Sequence, residues 1–345
     1  MKFAVLLVAM SAAMSAQNYS AIQTEDHGVQ VVRLTDTAKS VQVSIVPSAG
    51  NTVYEMRVHG KNILYFPFSD VSEFREKPSL AGIPLLAPWG NRLDQQAFWA
   101  NGQRYAFDMT IGNVHGVNPI HGLLTGSPYW RVTELKADDR SAHVTSKLEF
   151  SKHPELMKQW PFAHDYEMTY ALKDGELEVR VSIINLSAEA MPVAIGFHPY
   201  FRIPDVPRNE WVGRIPARRR VITDAKMIPT GQYKPMDLED PFLLENRTLD
   251  DGFTDLQRDA DGRARFSIAS SGKTVEVAFG PKWQAAVVWE PNNGKNQPQD
   301  FICFEPMAGI TNALNLHHDG KYPELQTVAP GATWTESFWV KTNGI

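Results

Sequence analysis

Cysteine is almost absent from the sequence, since Cys303 is the one cysteine in 345 residues. A single thiol cannot form an intramolecular disulfide, and it excludes the cysteine clusters that hold structural zinc or iron–sulfur centres. Long apolar runs are also missing after the N-terminal segment, so no stretch reaches the roughly 20 residues that a membrane helix needs. The sequence therefore predicts a protein without disulfides, cysteine-bound metal or a membrane span.

The sequence also has no large excess of positive or negative side chains. The chain carries 34 basic and 39 acidic side chains, a net charge of -5, with no extended basic run. Because nucleic-acid-binding proteins present a basic face, this balance argues against a nucleic-acid partner and favours a small neutral ligand. Hydrophobic residues form 43% of the chain and charged residues 21%, proportions that are typical of a globular protein and exclude a disordered one.

The N-terminal segment has the three-part layout of a secretory signal. Lys2 precedes an apolar stretch from Phe3 to Met10, and the small residues of SAAMSA follow. Such a segment directs export and is then removed, and it is too short to cross a membrane. We therefore expect residues 1–16 to be a signal peptide, residues 17–345 to form a single domain, and the mature protein to be periplasmic or secreted. The competing interpretation is a buried N-terminal strand or helix.

Apolar and polar residues alternate with period two through most of the chain, which is the pattern of half-buried strands. The clearest runs, 166–172 and 177–183, flank the turn residues Asp174 and Gly175 and predict an antiparallel hairpin. Long helical stripes are missing, and the one short helix predicted is Pro154–Lys158. With 23 Gly and 23 Pro, the pattern predicts an all-β fold, a large antiparallel β-sandwich with long loops. Further strand pairs are predicted at 53–58 with 63–66, at 264–268 with 275–279, and at 287–289 with 301–304.

Common catalytic and cofactor motifs are missing. The segment SSGKT at 270–274 lacks both the earlier glycine and the following helix of a phosphate-binding loop, and no GxGxxG, GxSxG or HExxH motif is present. His317 and His318 are adjacent and would point to opposite faces of a strand, so a shared metal is not expected there. The sequence predicts neither a metal site nor a cofactor.

Two ionisable residues are surrounded by apolar neighbours. Glu305 follows the apolar run 301–304, and His198 lies between Phe197 and Pro199 in a segment that predicts a buried strand. If the strand that carries Glu305 is central, loss of water should raise the pKa of this carboxyl toward the range of a general base near neutral pH. The structural alternatives are that Glu305 pairs with an arginine at a strand end and that His198 is a core histidine.

Other polar residues lie beside apolar or glycine neighbours. Asn91 and Arg92 follow the apolar run PLLAPWG, so the guanidinium is predicted at the lip of an apolar region, where it can donate paired hydrogen bonds. His121 precedes Gly122. These residues alone specify no function.

Taken together and in this order, the segments GNRL, IHG, GFHPYF, LDDGF and FEP resemble the aldose 1-epimerase (galactose mutarotase) family. The match runs from about residue 30 to residue 340 of the chain. The resemblance implies a galactose mutarotase-like β-sandwich with an open sugar-binding cleft. It also implies interconversion of the α and β anomers of a free aldose, without a metal or an organic cofactor.

The resemblance also implies residue roles. The family's catalytic acid falls on His198 and its catalytic base on Glu305. Its sugar-binding residues fall on Asn91, Arg92, His121, Asp250 and Trp289. Asp251 takes the place of Asp250 if the alignment slips by one residue. The chain departs from the family at Ala-Val-Val, 286–288, where well-known members carry a glutamine before the aromatic residue that Trp289 matches, so galactose preference stays open.

The implied chemistry suits these residue types. Opening a cyclic hemiacetal removes a proton from the anomeric hydroxyl and delivers one to the ring oxygen, which requires a base and an acid, expected on opposite sides of the bond. Planar donors and carboxylates match sugar diols. Trp89, Trp289 and Phe197 are candidates to stack on the apolar face of a pyranose.

Three alternative functions stay open. A hexose-6-phosphate 1-epimerase would need a basic pocket, whereas the one tight basic cluster, Arg218–Arg220, is interpreted as a solvated strand edge. A non-catalytic carbohydrate-binding sandwich would need neither a base nor an acid. A glycosidase would use two carboxylates such as Glu305 and Asp250. The oligomeric state is not predicted.

Overall fold

The computed structural model describes residues 18–245, 247–291 and 299–345, so the predicted signal peptide lies outside the described residues. Its strands are β1 Tyr19–Asp26, β2 Val29–Asp36, β3 Val41–Val46, β4 Thr52–Val58, β5 Lys61–Asn62, β6 Leu85–Leu86, β7 Ala97–Ala100, β8 Gln103–Ala106, β9 Val114–His115, β10 Asn118–Pro119, β11 Arg131–Ala137, β12 Ala142–Glu149, β13 His164–Lys173, β14 Glu176–Asn185, β15 Met191–Val193, β16 Gly196–Phe197, β17 Tyr200–Phe201, β18 Val212–Arg214, β19 Ala217–Thr223, β20 Pro229–Pro235, β21 Phe242–Leu243, β22 Leu249–Leu256, β23 Ala264–Ser270, β24 Lys273–Phe279, β25 Ala285–Glu290, β26 Ile302–Met307, β27 Gln326–Val328 and β28 Thr333–Asn343. The helices are α1 Val71–Glu76, α2 Pro154–Gln159 and α3 Ala313–His318, with short 3₁₀ turns at Phe150–Lys152 and Arg208–Glu210. None of the helices in these ranges is long and apolar enough to cross a membrane.

Three large sheets dominate the described residues. The nine-stranded sheet has the order β11-β12-β13-β14-β28-β24-β23-β18-β21, and the eight-stranded sheet has the order β20-β19-β22-β25-β26-β16-β6 with β17 also on β26. A five-stranded sheet, β1 to β5, flanks them. The two larger sheets pack face to face, with ring centroids of Phe266 and Phe304 5.6 Å apart and those of Phe197 and Phe338 5.0 Å apart. The predicted all-β sandwich is therefore confirmed, while its single-domain organisation stays a prediction.

The hairpin of β13 and β14 shows why these residues form strands. Every second side chain from Tyr166 to Leu172 is buried, and Tyr166 is the Cα partner of Ile183 across the hairpin. Burial of each such apolar side chain contributes about 1.5–3 kcal/mol. Asp174 and Gly175 both take positive φ, 50° and 75°, which matches the twist of a two-residue hairpin turn. The predicted hairpin and the predicted helix at Pro154 are both present.

Other predictions need correction. The predicted strand 193–201 is buried but broken, because Pro199 has no backbone N–H and the N–H of His198 donates to Pro84 O, 3.0 Å away. The strand predicted at 63–66 is wrong: the strand that pairs with β4 is Lys61–Asn62, and Leu64 makes only an isolated bridge to Phe201. His317 and His318 lie on α3, not on a strand, where the His318 ring stacks on Trp99 at 3.7 Å between centroids.

Candidate active site

A cleft of about 630 Å³ lies on the face of the eight-stranded sheet that points away from the core of the sandwich. This volume is within the range of about 300–1,000 Å³ that small-molecule sites occupy. All seven residues predicted from the sequence as catalytic or sugar-binding line it: Asn91, Arg92, His121, His198, Asp250, Trp289 and Glu305.

Strand alternation places Glu305 in the floor of the cleft. On β26 the side chains of Ile302 and Phe304 enter the core of the sandwich, so Cys303 and Glu305 face the other way. The strand is central, with β25 on one side and β16 and β17 on the other. The Glu305 side chain is only 1% exposed, as the apolar run before it predicts.

His198 lies against Glu305. The imidazole Nε2 is 3.3 Å from Glu305 Oε1, and the histidine side chain is 5% exposed. The ring of Tyr200 stacks on it at 4.8 Å between centroids, and Trp289 meets it edge to face at 5.4 Å. The predicted acid and the predicted base are therefore neighbours. This arrangement still suits a hemiacetal, because its two oxygens are bonded to the same carbon.

Burial shifts the pKa values of this pair in opposite directions. Loss of water lowers the pKa of His198 to about 3 and raises the pKa of Glu305 well above its ordinary value. The negative charge of Asp250 adds to the increase at Glu305, and Arg92 opposes it. The empty pair therefore favours a neutral imidazole and a protonated carboxyl. His198 Nδ1 and Glu305 Oε2 have no hydrogen-bond partner among the described residues.

Two tight backbone turns hold His121 and Asn91 together. Both take the left-handed conformation, with φ of 58° and 55°. The Asn91 N–H donates to His121 Nδ1 at 3.2 Å, and the His121 N–H donates to Asn91 O at 3.0 Å. Because Nδ1 accepts, the proton of the neutral ring is on Nε2. Burial, with help from His198 and Arg92, lowers the His121 pKa well below its ordinary value, so this ring is a neutral donor.

Arg92 lies between Asn91 and Asp250. Its backbone N–H and its Nη1 donate to Asn91 Oδ1 at 2.8 and 3.2 Å, and its Nη2 is 3.7 Å from Asp250 Oδ2. Burial, with the neighbouring charge of Asp251, raises the Asp250 pKa, and Arg92 opposes this shift. The guanidinium and the carboxylate together present donors and acceptors to the cleft.

The register of β22 separates Asp250 from Asp251. Asp250 is the Cα partner of Trp289, and both line the cleft. Asp251 follows on the opposite face of the strand, where its Oδ1 is 2.6 Å from Arg220 Nη2. The structure thus places Asp250 at the site and Asp251 in a neighbouring ion pair.

A comparison with known proteins identifies the family of the chain. The profile of the family described as aldose 1-epimerase matches residues 30–341. The chain belongs to the aldose 1-epimerase family. YihR from Escherichia coli K12 is 23% identical over 232 residues, covering 67% of this chain and 71% of that protein.

Solved structures share the fold of this aldose 1-epimerase family member. A galactose mutarotase-like protein from Clostridium acetobutylicum superposes with a TM-score of 0.84 at 23% identity, covering 95% of this chain and 99% of the other. Galactose 1-epimerase from Lactobacillus acidophilus NCFM superposes with a TM-score of 0.72 at 14% identity, covering 96% and 100%. The fold is therefore galactose mutarotase-like.

Two of the predicted stacking residues of this family member lie outside the cleft. Trp89 is 2% exposed and packs against Phe107 and Trp160, and Phe197 is fully buried against Phe338. Trp289 alone of the three lines the cleft. Aromatic character alone did not separate core packing from a site.

The basic cluster of this family member is only partly a solvated edge. Arg218 and Arg219 have side chains 59% exposed and face Asp255. Arg220 is 15% exposed, contrary to the prediction, because its guanidinium lies between Asp251 and Asp237 at 2.6 Å from each.

Several cleft residues were not predicted. Tyr200 has a usable signal, since it follows His198 by two residues and so shares its strand face. Leu80, Asn113 and His115 also line the cleft, but they lie on loops or short strands that no sequence period identifies. Within the described ranges, no three His, Cys, Asp or Glu side chains converge as a metal site would need.

Proposed function

We propose that the protein interconverts the α and β anomers of a free aldose by acid/base opening and reclosure of the hemiacetal ring. The observation that supports this most is the buried contact of 3.3 Å between His198 Nε2 and Glu305 Oε1 in the floor of a sugar-sized cleft. Membership of the aldose 1-epimerase family points to the same reaction.

Ring opening uses both members of the pair. In the reactive form the single proton of the pair has moved from Glu305 to His198. The Glu305 carboxylate then takes the proton of the anomeric hydroxyl while the His198 imidazolium gives its Nε2 proton to the ring oxygen. The bond between the anomeric carbon and the ring oxygen breaks, and an aldehyde forms. The pair is left as a carboxyl and a neutral imidazole, which is the proton distribution that burial favours.

Reclosure reverses these transfers. Rotation about the bond next to the aldehyde presents its other face to the hydroxyl that was the ring oxygen. His198 takes the proton of that hydroxyl as it attacks, and Glu305 returns a proton to the carbonyl oxygen. The product is the opposite anomer, and the pair regains its starting charges.

The remaining hydroxyls of the sugar would bind around this pair. Neutral His121 offers its Nε2–H, Arg92 offers N–H groups, and Asp250 accepts. The Trp289 indole lies edge to face with His198 and is half-buried, which leaves a face for a pyranose.

Phosphorylated sugars are less well matched. Arg92 is the one Lys or Arg among the described residues that line the cleft, and Asp250 already faces it. A phosphate dianion would need more positive charge. A glycosidase would use two carboxylates several ångströms apart, such as Glu305 and Asp250, and methyl glycosides test that alternative.

Polarimetry of freshly dissolved α-glucose, α-galactose and pentoses, with and without protein, tests the proposal. We expect faster approach to anomeric equilibrium than in buffer. The corresponding methyl glycosides, which cannot open, should stay unchanged. Spontaneous rates with every aldose would contradict the proposed function, and release of methanol from a glycoside would indicate a glycosidase.

We also propose export, on the basis of Lys2 and the apolar run that follows it. Intact-mass analysis of protein from the exported fraction should give a mature N-terminus between Ser15 and Asn18. Protein found only in the cytoplasm with Met1 retained would contradict export and leave the anomerase proposal standing.

A further inference from the structure

A small cavity continues the cleft past Arg92 and Asp250, which line both spaces. Its volume of about 20 Å³ is room for one methyl-sized or water-sized group. Buried apolar side chains form most of its inner wall: Val221, Ala285, Val287, Met307 and Ile310.

The wall of the cavity neighbours Glu305 in the sheet. Val287 is the Cα partner of Glu305 on the neighbouring strand, so both side chains lie on the cleft face. Met307 follows Glu305 by two residues on the same face. Gly252 is the partner of Val287 on the third strand, and its missing side chain leaves the space open. An apolar wall therefore adjoins the proton-transfer pair.

The polar groups Asn91, Arg92 and Asp250 line both spaces and so lie where the cavity joins the cleft, whereas the inner wall is apolar. Asn91 Oδ1 accepts two hydrogen bonds from Arg92, and Arg92 Nη2 faces Asp250. Thr223 and Thr311 are half-buried, so their hydroxyls keep contact with solvent. A hydroxyl placed deep in the cavity would lose water without gaining a partner, which is unfavourable.

We propose that this cavity receives a methyl group of the substrate and that a 6-deoxyhexose is preferred over its parent hexose. The proposal rests on the anomerase function above. In a 6-deoxyhexose a methyl replaces the exocyclic hydroxymethyl group, which presents an apolar group of the size of the cavity. Its carrier carbon is bonded to the ring oxygen, so the methyl lies close to the atom that His198 protonates.

The test compares two matched sugar pairs, 6-deoxy-D-glucose with D-glucose and 6-deoxy-D-galactose with D-galactose. The ratio of kcat/KM values within each pair is measured by polarimetry on one protein preparation, so the active fraction cancels. We expect the 6-deoxy sugar to be preferred about tenfold, since an apolar pocket rejects an added hydroxyl by at most roughly a hundredfold.

Two variants assign the preference to the cavity. Val287→Thr puts a hydroxyl in the wall at nearly constant shape and should reduce the ratio about threefold or more. Gly252→Ala, whose Cβ would lie 3.1 Å from Val221 Cγ2, should reduce it by filling the space. Val288→Thr is the matched control on the core face and should leave the ratio unchanged.

The outcomes separate the two proposals. Turnover of all four sugars with a ratio of one or less overturns the cavity proposal and leaves the anomerase function intact. A 6-deoxy preference that Val287→Thr and Val288→Thr alter equally also overturns it. Failure to accelerate mutarotation of any aldose overturns the anomerase function itself.

Discussion

At the scale of single residues, burial exchanges the usual order of two pKa values. Glu305 and His198 titrate near 4.5 and 6.5 in water, but desolvation moves them past each other. Ionisable groups 3.3 Å apart influence each other's titration, so the apparent pKa values belong to the pair. Catalysis needs one proton on the pair, and the structure favours that state over a wide range of pH.

The pH profile of the reaction should therefore be broad. Below the lowered pKa of His198, about 3, the pair takes a second proton and has no base. Above the raised pKa of Glu305 it loses its last proton and has no acid. We expect kcat/KM to stay flat through neutral pH, with the acidic limb from His198 and the basic limb from Glu305. A narrow bell between 4.5 and 6.5, measured by polarimetry on folded protein, would contradict this pairing.

Removal of either proton carrier should slow the reaction strongly. A positioned general acid or base contributes about 10²–10⁴-fold, so Glu305→Gln and His198→Asn should each lower kcat by about a hundredfold or more. The control is His164→Asn, since His164 is also fully buried but packs on Phe150 in the core. That variant should lose stability in urea and keep its kcat. If Glu305→Gln kept a tenth or more of the wild-type kcat, Glu305 would be a structural carboxylate and not the general base.

The two adjacent aspartates provide a matched comparison. Asp250→Asn should raise KM for the sugar, because the Asp250 carboxylate lines the cleft beside Arg92, where we propose that it accepts hydrogen bonds from sugar hydroxyls. Asp251→Asn should leave KM unchanged and lower stability slightly, because it breaks a partly exposed ion pair with Arg220. Steady-state kinetics and urea titrations distinguish them. If both variants changed KM equally, the position of each aspartate on the strand would not determine which of them contacts the sugar.

At the scale of elements, the alternation of apolar and polar residues predicted the strands that the local sequence determines. It missed features that depend on contacts with distant residues. The β13 and β14 hairpin was predicted because one face is buried along its whole length. Helix α1 had a usable signal that was missed, since Asp70 accepts from Ser72 N–H and Glu73 N–H as an N-cap. The break in 193–201 follows partly from Pro199, which the sequence shows, and partly from the hydrogen bond of the His198 N–H to the distant residue Pro84, which it does not show.

The candidate site residues were predicted through ordered short motifs, and the structure brings them together in one cleft. Their order along the chain identified His198, Glu305 and Arg92, but the contact between acid and base depends on two strands meeting in the folded sheet. The pairing of Asn91 with His121 is similar, because the Asn91 N–H donates to the His121 ring and the His121 N–H donates to the Asn91 carbonyl, although the two residues are 30 positions apart. Sequence patterns identify such residues but do not give the distances between them in the folded protein.

The turn that carries His121 should tolerate no side chain at the next residue. Gly122 has φ of +66°, and a Cβ there would lie 2.1 Å from Ala87 O. Gly60 is the control, since its φ is +83° and nothing lies within 4 Å of a Cβ. Gly60→Ala should cost about 1–2 kcal/mol of unfolding free energy from backbone conformation alone. Gly122→Ala should cost more and also lower kcat/KM by displacing His121, as urea titration and polarimetry would measure. Equal losses of stability would show that the Ala87 contact is unimportant.

At the scale of the whole molecule, the sandwich separates stability from the site. The nine-stranded sheet covers the core face of β26, which leaves the other face free to bury a carboxyl and an imidazole in a cleft. The same sheet that packs Phe304 inward therefore places Glu305 outward. The net charge of the protein, by contrast, acts over the whole surface and does not depend on which face of one strand a residue occupies.

Net charge leads to a prediction about substrate and salt. The chain carries a net charge of -5, and Arg92 in the cleft is already opposed by Asp250. A neutral aldose feels little of this field, whereas a hexose 6-phosphate is repelled until salt screens charges beyond a Debye length of about 10 Å at 0.1 M. We expect kcat/KM for glucose to exceed that for glucose 6-phosphate, to be insensitive to added NaCl, and to rise with NaCl for the phosphate. Neutralising Arg218 and Arg219, which are exposed and face Asp255, should leave the preference unchanged. A preference for the phosphate that salt weakens, and that these two substitutions abolish, would instead identify the arginine cluster as a phosphate site.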